Sequence, residues 1–119
     1  MRFMMLMIPR GYEAAAPGTM PPADAVAAMM KYNEALKEAG VLVTLDGLHP
    51  PSMGARVSFK HGTPVVTDGP FTEGKEFLGG YYAFSAENYN QAVEITRDHP
   101  HLEYGGIVEI REIHEMHRG

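Results

Sequence analysis

Residues 3–8, Phe-Met-Met-Leu-Met-Ile, are apolar at every position. Successive side chains of a strand point to opposite faces, so an unbroken apolar run predicts a strand covered on both sides. Phe77–Phe84 reads the same way, although Gly79 and Gly80 interrupt it. Between these runs the period changes. Gly11–Pro22 holds Pro17, Gly18, Pro21 and Pro22 and reads as a loop. Ala23–Ala39 reads as a helix, with Val26, Met29, Met30, Leu36 and Ala39 as its apolar stripe and Lys31, Glu34, Lys37 and Glu38 mostly outside. Gly40 then stands where a C′ glycine ends a helix.

Val41–Leu48 is a strand candidate, broken by His49-Pro50-Pro51. Ala55–Lys60 and Thr63–Thr67 predict a hairpin across His61-Gly62. Ser85 is the expected N-cap of a second helix, with Glu87 in its first turn and Asn88 at N3. That helix runs to about Arg97 with Tyr89, Ala92, Val93 and Thr96 inward, and Asp98-His99-Pro100-His101 ends it. Ile107–Ile113 is the last strand.

The order is β-α-β-(β-β)-β-α-β. Without the inserted hairpin it is the split βαβ arrangement, an α+β, ferredoxin-like sandwich occupying residues 1–119 as a single domain. Two helices can cover one face of such a sheet. The strands at 3–8 and 77–84 leave the other face apolar, and soluble monomers avoid large apolar patches. The expected solution is a homodimer packed through the sheet face, a dimeric α+β barrel whose interior is the natural ligand pocket. The alternative is cover within one chain, by the hairpin or the 9–22 loop.

Composition narrows the function. With 119 residues and 45% apolar content the chain is long enough for one globular core. A formal net charge of −5 disfavours nucleic acid as a partner. The absence of cysteine excludes a disulfide scaffold, a thiolate zinc site and a cysteine nucleophile. The N-terminal apolar run is shorter than the roughly 7–15 residues of a signal-peptide core. No segment reaches the ~18 apolar residues of a membrane span, so a cytoplasmic location is the default and no membrane partner is expected.

Candidate chemistry concentrates between Val65 and Tyr82. An aspartate in a turn usually bonds the N–H two residues on, but after Asp68 that residue is Pro70, which has none. The Asp68 carboxylate is therefore aimed elsewhere: at Phe71 or Thr72 N–H, at Lys75, or at a ligand. A turn-stabilising role accounts for the same tripeptide. Lys75, between Glu73 and Glu76, is held charged and suits an anion anchor, or simply a solvated charge run. Gly79-Gly80 marks a bulge or a close approach. Tyr81 and Tyr82 point to opposite faces, so one can face the pocket. On the last strand Val108 and Ile110 should meet the helices, leaving Glu109 and Arg111 toward the barrel interior, paired with each other or Arg111 with Asp68. Arg111 suits bidentate capture of a carboxylate. Asp46 with His49 is a conceivable dyad, though a loop histidine explains His49 as well. The six histidines form no known metal pattern, His114 and His117 near the C-terminus included, and no cofactor motif occurs.

Several motifs in order, Ala39-Gly40, Leu48 with Pro50, Thr67-Asp68-Gly69-Pro70-Phe71, Lys75-Glu76, Leu78-Gly79-Gly80-Tyr81 and Val108-Glu109-Ile110-Arg111, make the chain resemble the DGPF branch of the YCII-related family. The resemblance implies a ferredoxin-like fold that dimerises as an α+β barrel. Some YCII-type relatives are associated with a His–Asp pair in and near the end of the first helix. An ungapped placement puts Met29 and Glu38 there, and Met29 cannot act as a base. The hydrolase or dehydrochlorinase chemistry suggested for those relatives therefore lacks its base at this position. Branch members are often encoded beside extracytoplasmic-type sigma factors. Two functions are expected: a dimeric small-molecule-binding protein doing acid–base chemistry on a small anionic substrate, with Asp68 as catalytic group and Lys75, Glu76, Tyr81, Glu109 and Arg111 around the ligand; or a non-catalytic accessory protein in transcription regulation.

Overall fold

The structure, a computed structural model, describes residues 1–18, 20–70 and 77–115. Its strands are β1 (Arg2–Ile8), β2 (Leu42–Gly47), β3 (Ala55–Lys60), β4 (Thr63–Asp68), β5 (Gly80–Ser85) and β6 (Ile107–Glu112), and its helices are α1 (Ala23–Glu38) and α2 (Tyr89–Thr96). Short 3-10 turns lie at Tyr12–Ala14, Pro51–Met53 and Pro100–Tyr104. Four strands form an antiparallel sheet in the order β2-β5-β1-β6. This is the ferredoxin-like α+β arrangement. The β3–β4 hairpin is a separate two-stranded sheet.

β1 organises the core. Phe3 and Met5 are fully buried and Met7 nearly so, whereas Met4, Leu6 and Ile8 are half-buried. Register sets Phe3 opposite Phe84 and Met5 opposite Tyr82 on one side, and Met5 opposite Ile110 and Met7 opposite Val108 on the other. The Phe3 and Phe84 rings stack with centroids 5.9 Å apart. Leu36 of α1 and Ala92 of α2 join the same cluster, so both helices lie on the Phe3–Met5–Met7 face. Burying each such aromatic contributes about 2–3 kcal/mol.

The caps differ from expectation in instructive ways. α1 ends in a Schellman motif: Gly40, at φ 73°, donates to Lys37 O, and Val41 N–H reaches Leu36 O. Its inward residues are Ala25 and Leu36 with half-buried Tyr32, while Met30 is exposed. Ser85 is not the N-cap of α2, because it still pairs with Arg2 and its N–H donates to Val41 O. Asn88 takes that role, its Oδ1 accepting from Gln91 N–H at 2.9 Å. Tyr89, expected inside, is exposed, and Ile95 packs on the core instead.

β5 begins only at Gly80, so the two glycines start the strand rather than interrupt it. Gly79 N–H donates to Met7 O and Gly79 O accepts from Leu48 N–H. A Cβ on Gly79 would lie 2.4 Å from Pro9 Cγ, and one on Gly80 2.9 Å from Asp46 O. Close backbone approach is the reason for this pair. Gly80→Ala should therefore destabilise the protein by about 1–3 kcal/mol in urea unfolding. A Cβ on its cross-strand neighbour Gly47 would meet nothing within 4 Å, and Gly47→Ala should stay within ~0.5 kcal/mol.

Beneath the sheet sits a buried polar chain. His99, 1% exposed, accepts His101 N–H at Nδ1 (3.0 Å), leaving Nε2 to donate to Tyr82 Oη (3.1 Å), which donates to Asn33 Oδ1. Every polar atom of the imidazole is used in its neutral form. Burial first, then nearby His101, lowers the His99 pKa from 6.5 to about 4. A folded value below the unfolded one gives stability that is complete above pH 6.5 and is lost as pH falls toward 4. Unfolding free energies at pH 7 and pH 4.5 should differ by on the order of 2 kcal/mol from this group, and His99→Gln should flatten that part of the profile.

Candidate functional site: the uncovered sheet face

Both α1 and α2 pack on the Phe3–Met5–Met7 face, so among the described residues no α-helix covers the second sheet face. Register places two rows across this face. One runs Asp46, Tyr81, Leu6, Glu109; the next runs Thr44, Ala83, Met4, Arg111. Neighbouring Cα atoms in such rows are about 5 Å apart. Tyr81 and Glu109 thus flank Leu6 at roughly 10 Å from each other. The face has an apolar middle, made by Met4, Leu6 and Ala83, with polar groups on both sides.

Asp46 reaches this face through a β-bulge. The β2–β5 register shifts between Leu42 and Thr44, so Val43 is an extra residue on β2. Without it Asp46 would stand opposite Gly80, on the face of Leu42. With it, Asp46 stands opposite Tyr81, and Tyr81 Oη donates to Asp46 Oδ2 at 2.7 Å. The hydrogen bond to the carboxylate, then its charge, raises the Tyr81 pKa. Tyr81 is therefore a protonated hydroxyl at neutral pH. Leu42 and Leu45 both pack on the core, a spacing of three that period-2 alternation forbids. That broken spacing was the sequence sign of the bulge. His49 is exposed and does not pair with Asp46.

The remaining candidates divide. Tyr81, Glu109 and Arg111 share the open face, and Tyr82 points the other way, into the helices. Glu109 and Arg111 are both exposed, and among the described residues neither has an ion-pair partner. The expected Glu109–Arg111 and Arg111–Asp68 pairs are thus corrected. Asp68 ends β4 opposite Ala55, exposed and in the other sheet, so one copy does not bring it to Arg111. Phe71, Thr72, Glu73, Lys75, Glu76 and His117 lie outside the described residues. Met29 is half-buried and Glu38 exposed on α1. Among the described residues no cluster of three or more His, Asp or Glu could hold a metal ion.

The family comparison adds identity. The YCII-related domain matches residues 1–117. The chain belongs to the YCII-related family. An uncharacterized protein of Rhizobium meliloti (strain 1021), R00369, is 36% identical over 61 residues, 51% of this chain and 49% of that protein. The chain therefore spans about half the length of the curated relative it matches. A solved structure similar to this YCII-related chain is 5-chloro-2-hydroxyhydroquinone dehydrochlorinase (TftG) from Burkholderia phenoliruptrix AC1100, in complex with 2,5-dihydroxybenzoquinone. It is 21% identical, with a TM-score of 0.49 over 97% of this chain and 96% of that one. Among the described residues of this YCII-related chain, no helix is long and apolar enough to cross a membrane.

The Tyr81–Asp46 pair has a direct spectroscopic test. Asp46→Asn removes the charge that holds the phenol protonated, so the Tyr81 ring-carbon resonance should titrate at lower pH than in the native chain. The urea unfolding midpoint should barely move, since the Asp46 carboxylate is exposed and water screens it. An unmoved titration would remove Asp46 from the site.

Proposed function

We propose that this chain is a small-molecule-binding protein of the DGPF branch, whose ligand chamber is closed when a second copy packs on the open sheet face. The observation that carries the reading is the two-row pattern: an apolar floor between the hydrogen-bonded Tyr81 and Asp46 on one side and the side chains of Glu109 and Arg111 on the other. A small anion with an apolar body complements it. The body would lie on Met4 and Leu6, the anionic group would take Arg111 in bidentate fashion, and a ligand hydroxyl would donate to Tyr81 Oη, whose own proton is given to Asp46. Glu109, beside Arg111 and facing the same ligand, is the nearest base on this face. Acid–base chemistry would then use a carboxylate as proton acceptor, with the Tyr81–Asp46 pair orienting the substrate oxygen. Asp68 would enter such a site only from the other copy.

Small aromatic and aliphatic carboxylates at millimolar concentration test the reading by thermal unfolding. At least one should raise the melting temperature of the native protein by about 2 °C or more, as ligand binding to the folded state must. Arg111→Gln should abolish that rise without lowering the melting temperature of the free protein by more than a degree or two. A native protein unmoved by the whole panel would contradict the reading.

A further inference from the structure

The β3–β4 hairpin has two unlike faces. Register groups Ala55, Val57, Phe59, Pro64 and Val66 on one, with Asp68 at its base, and Arg56, Ser58, Lys60, Thr63 and Thr67 with Val65 on the other. The apolar ladder is bare: Val57 is 69%, Phe59 72% and Val66 63% exposed. The turn is tight, His61 and Gly62 both having positive φ (53° and 77°), as a two-residue hairpin turn requires. Its base is fixed. Gly69 N–H donates to Gly54 O at 2.8 Å, a Cβ on Gly69 would lie 1.8 Å from Pro51 O, and the Arg56 guanidinium lies 5.2 Å from the Phe77 ring centroid. An isolated two-stranded hairpin with a wet apolar face gains too little from burial to be left so.

We infer that this hairpin is an arm that lays its apolar ladder against a second copy of the chain, making the site composite. The inference rests on the reading of the open face above and adds what else the second copy covers. Surface area favours a copy as the occupant. The chain exposes 8521 Å², against about 6,400 Å² for a compact monomer of its mass. The excess of about 2,100 Å² exceeds the ~800 Å² that each partner gives to a standard interface. The shape agrees, with a radius of gyration of 16.3 Å against about 13.5 Å for a compact chain of this length. A two-fold dimer needs both halves of its interface on one molecule, and the exposed ladder and the helix-free sheet face, with half-buried Met4 and Leu6, are both present here. In such a dimer Asp68, at the arm's base, belongs to the interface, where its own sheet cannot place it.

Sedimentation equilibrium of the full chain, native and Phe59→Glu, decides the matter, with Val66→Glu as a second variant. Both side chains are exposed, so circular dichroism should be unchanged. The native chain should dimerise at micromolar concentration, and each variant should weaken the dimer at least tenfold. A native dimer with variants of equal affinity overturns the arm and leaves the sheet-face dimer standing. A native chain that stays monomeric at hundreds of micromolar overturns both.

Discussion

Strand β1 carries apolar side chains on both faces, and among the described residues both helices pack on one of them. Phe3, Met5 and Met7 meet α1 and α2, and their neighbours Met4, Leu6 and Ile8 meet no helix. A sheet with helices on one side is two layers deep, and the protein measures 47 × 46 × 18 Å accordingly. The rest of the molecule answers to this asymmetry. The charged groups of β6 are placed on the bare face by the same alternation that sends Val108 and Ile110 to the helices.

That face combines apolar and polar groups in a way that one layer cannot exploit alone. Asp46, Glu109 and Arg111 are exposed in a single copy and Tyr81 is half-buried, and exposed charges hold a ligand weakly because water screens them. Closing the face with a second sheet would exclude water and strengthen each contact. The folded network on the opposite side, His99–Tyr82–Asn33, fixes Tyr82 rigidly and with it the direction of Tyr81 one residue before. The core and the site are thus two sides of one strand, β5.

Much of the architecture was legible because alternation and turn chemistry are local. The two-sided run at 3–8, the C′ glycine at Gly40, the His61-Gly62 turn and the Val108/Ile110 versus Glu109/Arg111 split all follow from spacing. Boundaries set by tertiary pairing were not. Ser85 looks like a cap, but its N–H is taken by Val41 O, and the cap moves to Asn88. Met30 looks apolar enough for the α1 stripe, yet Tyr32 is the residue whose hydroxyl reaches Ile95 O at 2.6 Å across the core. The Asp46–Tyr81 pair depends on a one-residue bulge between distant strands. His99 resembles a loop histidine until the fold buries it. Asp68 precedes a proline that denies it the usual turn N–H, but the topology puts its strand in a different sheet.

Methionine oxidation reads the central claim directly, because the chain carries its own controls. Met20, Met30 and Met53 are exposed at 79%, 66% and 51%, and Met5 is fully buried. Met4, half-buried in a single copy, lies in the middle of the helix-free face. Under limiting peroxide, with peptide mass spectrometry, Met4 should be protected nearly as well as Met5 at high protein concentration and should become reactive on dilution. Met4 oxidising at one intermediate rate at every concentration would mean that nothing covers the face.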